Sequence, residues 1–491
     1  MHHKTNDLAE DLAVPRFMDQ RLAMCLSLFG LVACGSDTPS ESSPSMEGPK
    51  HLAPGFTFMP PEPQRSGDPA AGRIALLTKP YVSCGLPKRV YELALGPSTP
   101  ENRLSDRVGP NAQRNYFETQ YTNEDGVEVV TTNCLICHAG RINGSLVIGL
   151  GNEFNDYTQD LGAVAEASIA FAENPEEEKA IRKWAERVSA ISPWSTAHTR
   201  GVNPAESLTA ALISHRDQTT LNWLGEPQLP LPDYGVVPLS VPPWWHMKKK
   251  NGLYYTGIGR GDHARFLMTI VTVCTDSIEE AEAVDAYFPD IAAYVESIEA
   301  PKYPFQIDEA LAAEGQPIFE RSCSGCHGTY GDVETYPNLL VDLNIVGTDP
   351  LLAQETFGSV DAYVDWYNAS WFGELARAEP SRGYVAPPLD GVWATAPYFH
   401  NGSVPTLALV LDSPSRPTFW TRNFNQQEYD EVNVGWQFTV HDVGKDGQMS
   451  SEARVNLYDT QQPGYSNAGH LFGDGLTAME RRAVIEYLKT L

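Results

Sequence analysis

Cys134-Leu-Ile-Cys137-His138 and Cys323-Ser-Gly-Cys326-His327 decide the reading of this chain. Both are Cys-x-x-Cys-His, the attachment pattern of c-type haem. Two thiols on one tight turn can add to the two vinyl groups of a haem. The histidine that follows is then held against the iron as its proximal ligand. Two motifs imply two covalently held haems. A Cys-x-x-Cys on its own also suits half a zinc site or a redox dithiol. Here each pair is followed at once by histidine. The pairs lie 189 residues apart (323 − 134), much farther than the ligand pairs of a zinc knuckle.

At 491 residues the chain has room for two or three domains. Its formal charge is −28. That argues against a nucleic-acid partner, because phosphate binding needs a basic surface. Solubility accounts for the acidity, and a basic redox partner protein stays open. Residues 22–33 (LAMCLSLFGLVA) form an apolar run behind Arg21. It is too short to span a bilayer as a helix and reads as an export signal. Leu31-Val-Ala-Cys34-Gly35 resembles a bacterial lipoprotein cleavage box, in which the cysteine is lipidated. Asp7, Glu10 and Asp11 do not suit a basic n-region, so Met18 is the expected natural start. The expected location is the periplasm or outer membrane, with membrane contact by a lipid anchor at Cys34 only.

Eight cysteines, less Cys25 in the signal, Cys34 at the lipid site and four haem thiols, leave Cys84 and Cys274. In an oxidising compartment the expectation is a disulfide. Residues 35–69 are rich in Ser, Pro and Gly and read as a flexible tether behind the signal at 1–34. Ile181, Trp184, Val188 and Ile191 recur at helical spacing and predict a helix over 175–191. A shorter one follows over 204–212. Six prolines within 227–243 predict irregular chain. Ser277-x-x-Glu280 and Thr477-x-x-Glu480 are capping boxes. The first opens a helix, which Pro289 restarts as a second one through residue 298. The other opens a terminal helix with Met479, Ala483, Val484, Tyr487 and Leu488 as its inner stripe. Residues 308–323 form a helix running into the second Cys-x-x-Cys-His. Pro301-Lys-Tyr-Pro304 marks a boundary between an N-terminal haem domain at 70–300 and a C-terminal one at 301–491. The expected fold is mainly α: two cytochrome c-type haem domains with long irregular loops and few short strands. Asp442-Val-Gly-Lys-Asp446-Gly lacks the alternating acidic ligands of an EF-hand and reads as a turn.

Two exported c-type haems in one chain resemble the dihaem cytochrome c peroxidase superfamily. Trp393-Ala-Thr-Ala-Pro-Tyr398-Phe-His400-Asn-Gly402-Ser-Val-Pro-Thr-Leu407 is similar to that superfamily's loop beside the C-terminal haem. A closer resemblance, from about residue 70 onward, is to the bacterial rubber oxygenases, dihaem proteins that cleave polyisoprene with dioxygen. It is carried by Pro242-Pro-Trp244-Trp245-His-Met-Lys248-Lys-Lys250, Gly259-Arg260-Gly-Asp-His263-Ala-Arg265 and Tyr465-Ser-Asn-Ala-Gly-His470. In that family the N-terminal haem reacts with dioxygen on its open face. The C-terminal haem is held by two histidines and serves electron transfer. Carried over, His138 and His327 are the proximal ligands. His470 is the best match for the distal ligand of the second haem, and His400 is the alternative. The family also places a tryptophan between the haems, which points to Trp245; composition alone would make both tryptophans core residues. A calcium ion between the domains, as in the peroxidase relatives, stays open.

Arg260, His263 and Arg265 admit two roles. A base and a cation beside the iron suit peroxide, taking a proton and helping the O–O bond break. The plainer expectation is that Arg260 or Arg265 binds a haem propionate. Lys248–Lys250 reads as a solvated or propionate-facing patch. The resemblance thus implies oxidative cleavage of a small apolar unsaturated substrate by dioxygen at the N-terminal haem. The alternatives are a peroxidase reducing hydrogen peroxide, and a non-catalytic periplasmic electron-transfer cytochrome.

Overall fold

The computed structural model describes residues 52–231, 235–355, 360–424, 428–448 and 450–491. The export signal, Cys25 and the Cys34 box lie outside them. The helices start where the sequence marks them. Asn174 accepts the Glu177 amide at 2.8 Å, Pro175 occupies the first turn, and Glu176, Glu177 and Glu178 face the positive end of the helix Pro175–Ser195. Ser277 accepts the Glu280 amide at 3.2 Å to open Ile278–Asp285. The Glu280 carboxylate reaches back to the Asp276 amide, one residue short of a full box. Pro289 sits in the first turn of Phe288–Glu296. Asp308 caps Glu309–Ser322, and Thr477 with Glu480 makes a complete box for Ala478–Leu488. The chain between the helix Ala205–Ser214 and Trp244 is irregular where described.

Each Cys-x-x-Cys-His motif belongs to a half braced by one crossing pair of helices. Pro69–Thr78 crosses Phe288–Glu296 at Gly72, where a β-carbon would lie 1.8 Å from the Asp290 carbonyl oxygen. Glu309–Ser322 crosses the terminal helix at Gly315, where a β-carbon would lie 2.0 Å from the Ala483 carbonyl oxygen. Only glycine admits backbones this close.

The fold is less purely helical than expected. Among the described residues fifteen strands of two to five residues form small sheets, and none closes into a barrel. Several short strands join residues on the two sides of 301. Gly259–Gly261 pairs with Ala376–Ala378, and Phe56–Phe58 pairs with Leu339–Asp342. The cores are shared in the same way. The cluster around Leu135 and Trp244 takes in Tyr363, Tyr367 and Phe372, and the cluster around Phe319 and Val484 takes in Ile142, Leu150 and Trp245. The described residues fall in one unit, Met46–Leu491.

Two expectations need correcting. The tether read over 35–69 is structured from residue 52 onward, because Phe56–Phe58 enters a sheet and Arg65 ion-pairs with Asp262 and Asp285 at 2.8 Å each. Met479 leaves the inner stripe of the terminal helix and is 67% exposed, while Ala483, Val484, Tyr487 and Leu488 are buried. Cys84 and Cys274 are joined as a disulfide with 5.3 Å between their Cα atoms.

Candidate haem centres

Both Cys-x-x-Cys-His motifs form the same turn. The Cys134 carbonyl accepts the amides of Cys137 at 3.3 Å and His138 at 3.1 Å. The Cys323 carbonyl accepts those of Cys326 and His327, both at 3.1 Å. Each motif thus puts two thiols and an imidazole on one helical turn, Leu135–His138 and Ser324–His327. All four cysteines are free of disulfides and half-buried. The second motif is the direct continuation of its helix, with the Cys323 amide bonded to the Phe319 carbonyl at 2.7 Å. The first is held from outside. The Tyr81 hydroxyl accepts the Cys134 amide at 3.1 Å, and the Cys137 sulfur meets Tyr157 Oη at 3.0 Å and Asn203 Nδ2 at 3.3 Å.

The two proximal candidates differ. His327 Nδ1 donates to the Pro387 carbonyl at 2.8 Å, which leaves Nε2 free for a metal. The His470 ring stands opposite, 6.3 Å away centre to centre. An imidazole nitrogen sits about 2.0 Å from the metal it ligates and roughly 1.1 Å from its own ring centre, so two imidazoles across one iron put their ring centres about 6.2 Å apart. The pair therefore fits a haem iron between them. The Asn-Ala-Gly-His element reaches this position through a left-handed turn. Gly469 has φ 79° and His470 φ 50°. A β-carbon on Gly469 would lie 2.1 Å from the Gly347 carbonyl carbon, and the His470 amide bonds the Val346 carbonyl at 2.6 Å. His400 is elsewhere. It is buried and stacked on Tyr384 at 4.1 Å with 19° between the rings.

His138 has an indole as neighbour instead of an imidazole. Trp244 stacks on it at 4.7 Å and 20°. His138 Nδ1 is buried without a hydrogen-bond partner. Burial pushes this imidazole down to about 3, and His470 likewise to about 3 with His327 adding to the effect. Both are thus neutral at physiological pH, the form that ligates iron.

Trp244 and Trp245 divide between the two cores. The Trp245 indole donates to the Asp390 carbonyl at 2.8 Å, three residues beyond the Pro387 carbonyl that fixes His327. The Trp244–Trp245 peptide therefore links the stack on His138 to the loop behind His327. Sequence reasoning singled out Trp245 and missed that Trp244 is the one touching His138. It also missed Pro387, which carries no local signal beyond a Pro-Pro pair.

The Arg260–Arg265 segment is braced by carboxylates. Arg260 pairs with Glu62 at 2.8 Å and also donates to the Pro60 carbonyl at 2.9 Å. Arg265 pairs with Asp285 at 2.9 Å and lies 3.5 Å over Trp371. His263 is buried, its Nδ1 has no partner, and burial pushes it down to about 4. Lys248 and Lys249 pair with Glu299 and Asp390, at 2.8 and 2.6 Å. Lys250 turns inward to the Tyr254 carbonyl at 3.0 Å, and burial pushes it down to about 8. Glu206, passed over in the sequence, sits in the first turn of Ala205–Ser214 and is pushed up to about 7 by burial. Among the described residues no group of three or more His, Cys, Asp or Glu side chains stands ready for another metal. Lys445–Gly447 is a single 3-10 turn.

Residues 383–421 match a family described as RoxA-like, cytochrome c-like. Two curated relatives come from Sinorhizobium fredii. The uncharacterized protein y4iJ is 31% identical over 259 residues, 39% of this chain and 41% of its own length. The uncharacterized protein y4iM is 32% identical over 233 residues, 41% of this chain and 53% of its own length. The chain thus spans about half the length of the curated relatives it matches. The matched segment holds His400 and the Pro387 carbonyl on which His327 rests. A RoxA-like cytochrome c domain, with the covalent haem that such a domain implies, is what this stretch of the chain is similar to.

Proposed function

We propose that this chain is an exported dihaem c-type oxidoreductase of the rubber-oxygenase kind. Cys134 and Cys137 hold one haem and Cys323 and Cys326 the other, with His138 and His327 as proximal ligands and His470 closing the second iron. Dioxygen-dependent cleavage of a small apolar unsaturated substrate takes place beside His138. The observation that carries this reading is the asymmetry of the two histidines: His327 faces an imidazole at bis-histidine spacing, and His138 faces an indole.

Haem, when bound, supplies dioxygen binding and one-electron chemistry. The protein's own part is placement. Pro387 holds His327 in one tautomer. Trp244 fixes the plane of the His138 ring. The aromatic core that takes in Leu135, Phe266, Tyr367 and Phe372 keeps water from the first motif and favours an apolar substrate. The Trp244–Trp245 pair offers a polarisable route between the two halves. Export and a lipid anchor at Cys34 complete the proposal; no helix among the described residues is long and apolar enough to cross a membrane.

One observation favours a second reading, peroxide reduction. His263 is a buried neutral imidazole with an unpartnered nitrogen, and it opens the helix His263–Leu267, whose Ala264 and Phe266 join the core of the first motif. Such a base can take the proton from peroxide.

The test is an EPR and UV–visible spectrum of the haem-loaded protein, as isolated and after one-electron reduction. One low-spin and one high-spin or dioxygen-bound haem is expected; isoprenoid and peroxide turnover then separate the two reactions. Two low-spin haems in both states would leave an electron carrier.

A further inference from the structure

A small pocket lies near the second thiol of the first motif, Cys137. Thr199, Arg200, Gly201, Arg422, Phe424 and Asn456 are among its walls. It adjoins the first motif through three residues, since Asn203, which bonds the Cys137 sulfur, follows directly on Arg200, Gly201 and Val202.

Two guanidiniums share one ring here. Arg200 and Arg422 are each 4.7 Å from the centre of Phe424. Arg422 is also 4.8 Å from Phe154 and 5.8 Å from Trp436. Like charges this close repel, and only one of them has a carboxylate at hand: Asp156, 3.7 Å from Arg200 Nε. Among the described residues no carboxylate stands at ion-pair distance from Arg422, which is only 9% exposed. Its Nη2 donates to the backbone carbonyl of Glu153. The Glu153 carboxylate turns away, accepting Ser240 Oγ and the Val241 amide at 2.9 Å each. Burial and the neighbouring Arg200 weaken the Arg422 guanidinium's hold on its proton, lowering it to about 10.

Several polar atoms at this place are buried and short of partners. Arg422 Nη1 and the Asn456 amide oxygen have no hydrogen-bond partner, and Arg200 Nε has only the Asp156 carboxylate at 3.7 Å. The Thr199 hydroxyl meets the buried Tyr465 hydroxyl, a pair that keeps one proton to donate. Arg422 Nη1, Arg200 Nε and one of the two hydroxyls can thus each donate a hydrogen bond. A buried donor left unmade costs about 1–3 kcal/mol, and more when charged. So many in one place point to a partner. The pocket offers about 10 Å³ to the centre of a water-sized sphere, which is room for about one such sphere. A water could meet two of the donors, but it would leave the charge on Arg422 unbalanced.

We infer that this pocket is a binding site for one halide-sized inorganic anion, held by Arg422, Arg200 and the Thr199 hydroxyl. This goes beyond the haem reading and does not depend on it. An anion there would offset the like charges on Phe424 and tie the loop of Asn203 to Arg422.

The haem-loaded full chain is melted in sodium chloride and in sodium gluconate at matched ionic strength. Chloride alone should raise the melting temperature, saturably, by about 1–3 °C at tenfold excess over its dissociation constant. Thr199→Val and Arg200→Gln, the latter at a partly exposed side chain, should each abolish the rise. Identical curves in the two salts mean that a water fills the pocket and overturn the assignment. So does a chloride effect that survives both substitutions.

Discussion

Cutting the Cys84–Cys274 bridge should destabilise the protein more than almost any other single change. The two residues are 190 apart in sequence, so the bond closes a very long loop in the unfolded chain. The chain-entropy relation gives about 18 cal/mol/K for a loop of this length, or about 5 kcal/mol at 25 °C. Both residues are buried, at 4% and 0% exposure, so alanine is the cleaner replacement for each; serine would add an unpaired hydroxyl to the core. For a chain larger than 250 residues each kcal/mol moves the melting temperature by about 1–2 °C, so Cys84→Ala/Cys274→Ala should melt about 5–10 °C lower. The effect should also be local. Ser83 bonds the Cys274 carbonyl at 3.1 Å, and Tyr81, two residues earlier, holds the Cys134 amide. Spectral changes should therefore be confined to the first haem. Calorimetry and the visible spectrum of the haem-loaded double variant check both points. A loss under about 2 °C would refute the entropic argument. Two reactive thiols from these positions in the unfolded, unreduced protein would refute the pairing itself.

His470→Ala should convert one haem equivalent per chain from low to high spin in the EPR spectrum, and His400→Ala should leave that signal intact, because His470 stands 6.3 Å from His327 while His400 stacks on Tyr384; the reverse pattern would move the ligand to the 393–407 loop. Glu153→Gln should flatten the pH dependence of stability. Burial holds the Glu153 carboxyl at about 7 against 4.5 when exposed. The unfolded chain therefore loses that proton first, and stability falls as pH rises from 4.5 to 7, by about 3 kcal/mol for the full gap. Urea unfolding at pH 5 and 7.5 reads the difference, and an unchanged slope in the variant would be the contrary result. Gly315→Ala should cost about 1–3 kcal/mol because its β-carbon would strike the Ala483 carbonyl. Gly475→Ala, with nothing within 4 Å of the added carbon, is the control and should be near neutral.

What was legible in the sequence was whatever a local rule governs. Ser277 and Thr477 cap helices because a side-chain oxygen next to unpaired amides behaves alike in any fold. The two Cys-x-x-Cys-His turns were readable for the same reason, since five residues contain each turn. Strands of two to five residues were not. A pair such as Gly259–Gly261 with Ala376–Ala378 shows no alternation, and its partner is more than a hundred residues away. The partners of charges were equally hidden. Arg260 and Arg265 look like site cations in isolation, yet Glu62 and Asp285 hold them. Glu62 lies in a Pro-rich stretch whose composition suggested a tether. Met479 followed the helical period but sits where no element covers the terminal helix. Long-range packing decided each of these, and a window of residues does not contain it.

The same distinction bears on how the two centres depend on each other. Had each half carried its own core, Trp244 and Trp245 would belong together. Instead the first tryptophan packs in the core of His138, and the second packs among Phe319, Trp393 and Val484 while bonding Asp390. Two consecutive residues cannot shift independently by more than the play of one peptide unit. Any displacement of the loop that holds Pro387 and Asp390 must therefore reach the stack on His138, and any tilt of His138 must press on that loop. Trp245 also lies against Gly391, which has φ 60° and where a β-carbon would come within 3.2 Å of the indole nitrogen. A larger residue at 391 would crowd the indole that bonds Asp390 and adopt a left-handed backbone that favours glycine. The segment matched to RoxA-like cytochromes covers Pro387, Asp390 and Gly391 together. Its role in this fold is thus double: it fixes the His327 ring through Pro387, and through a single tryptophan pair it sets the packing around His138.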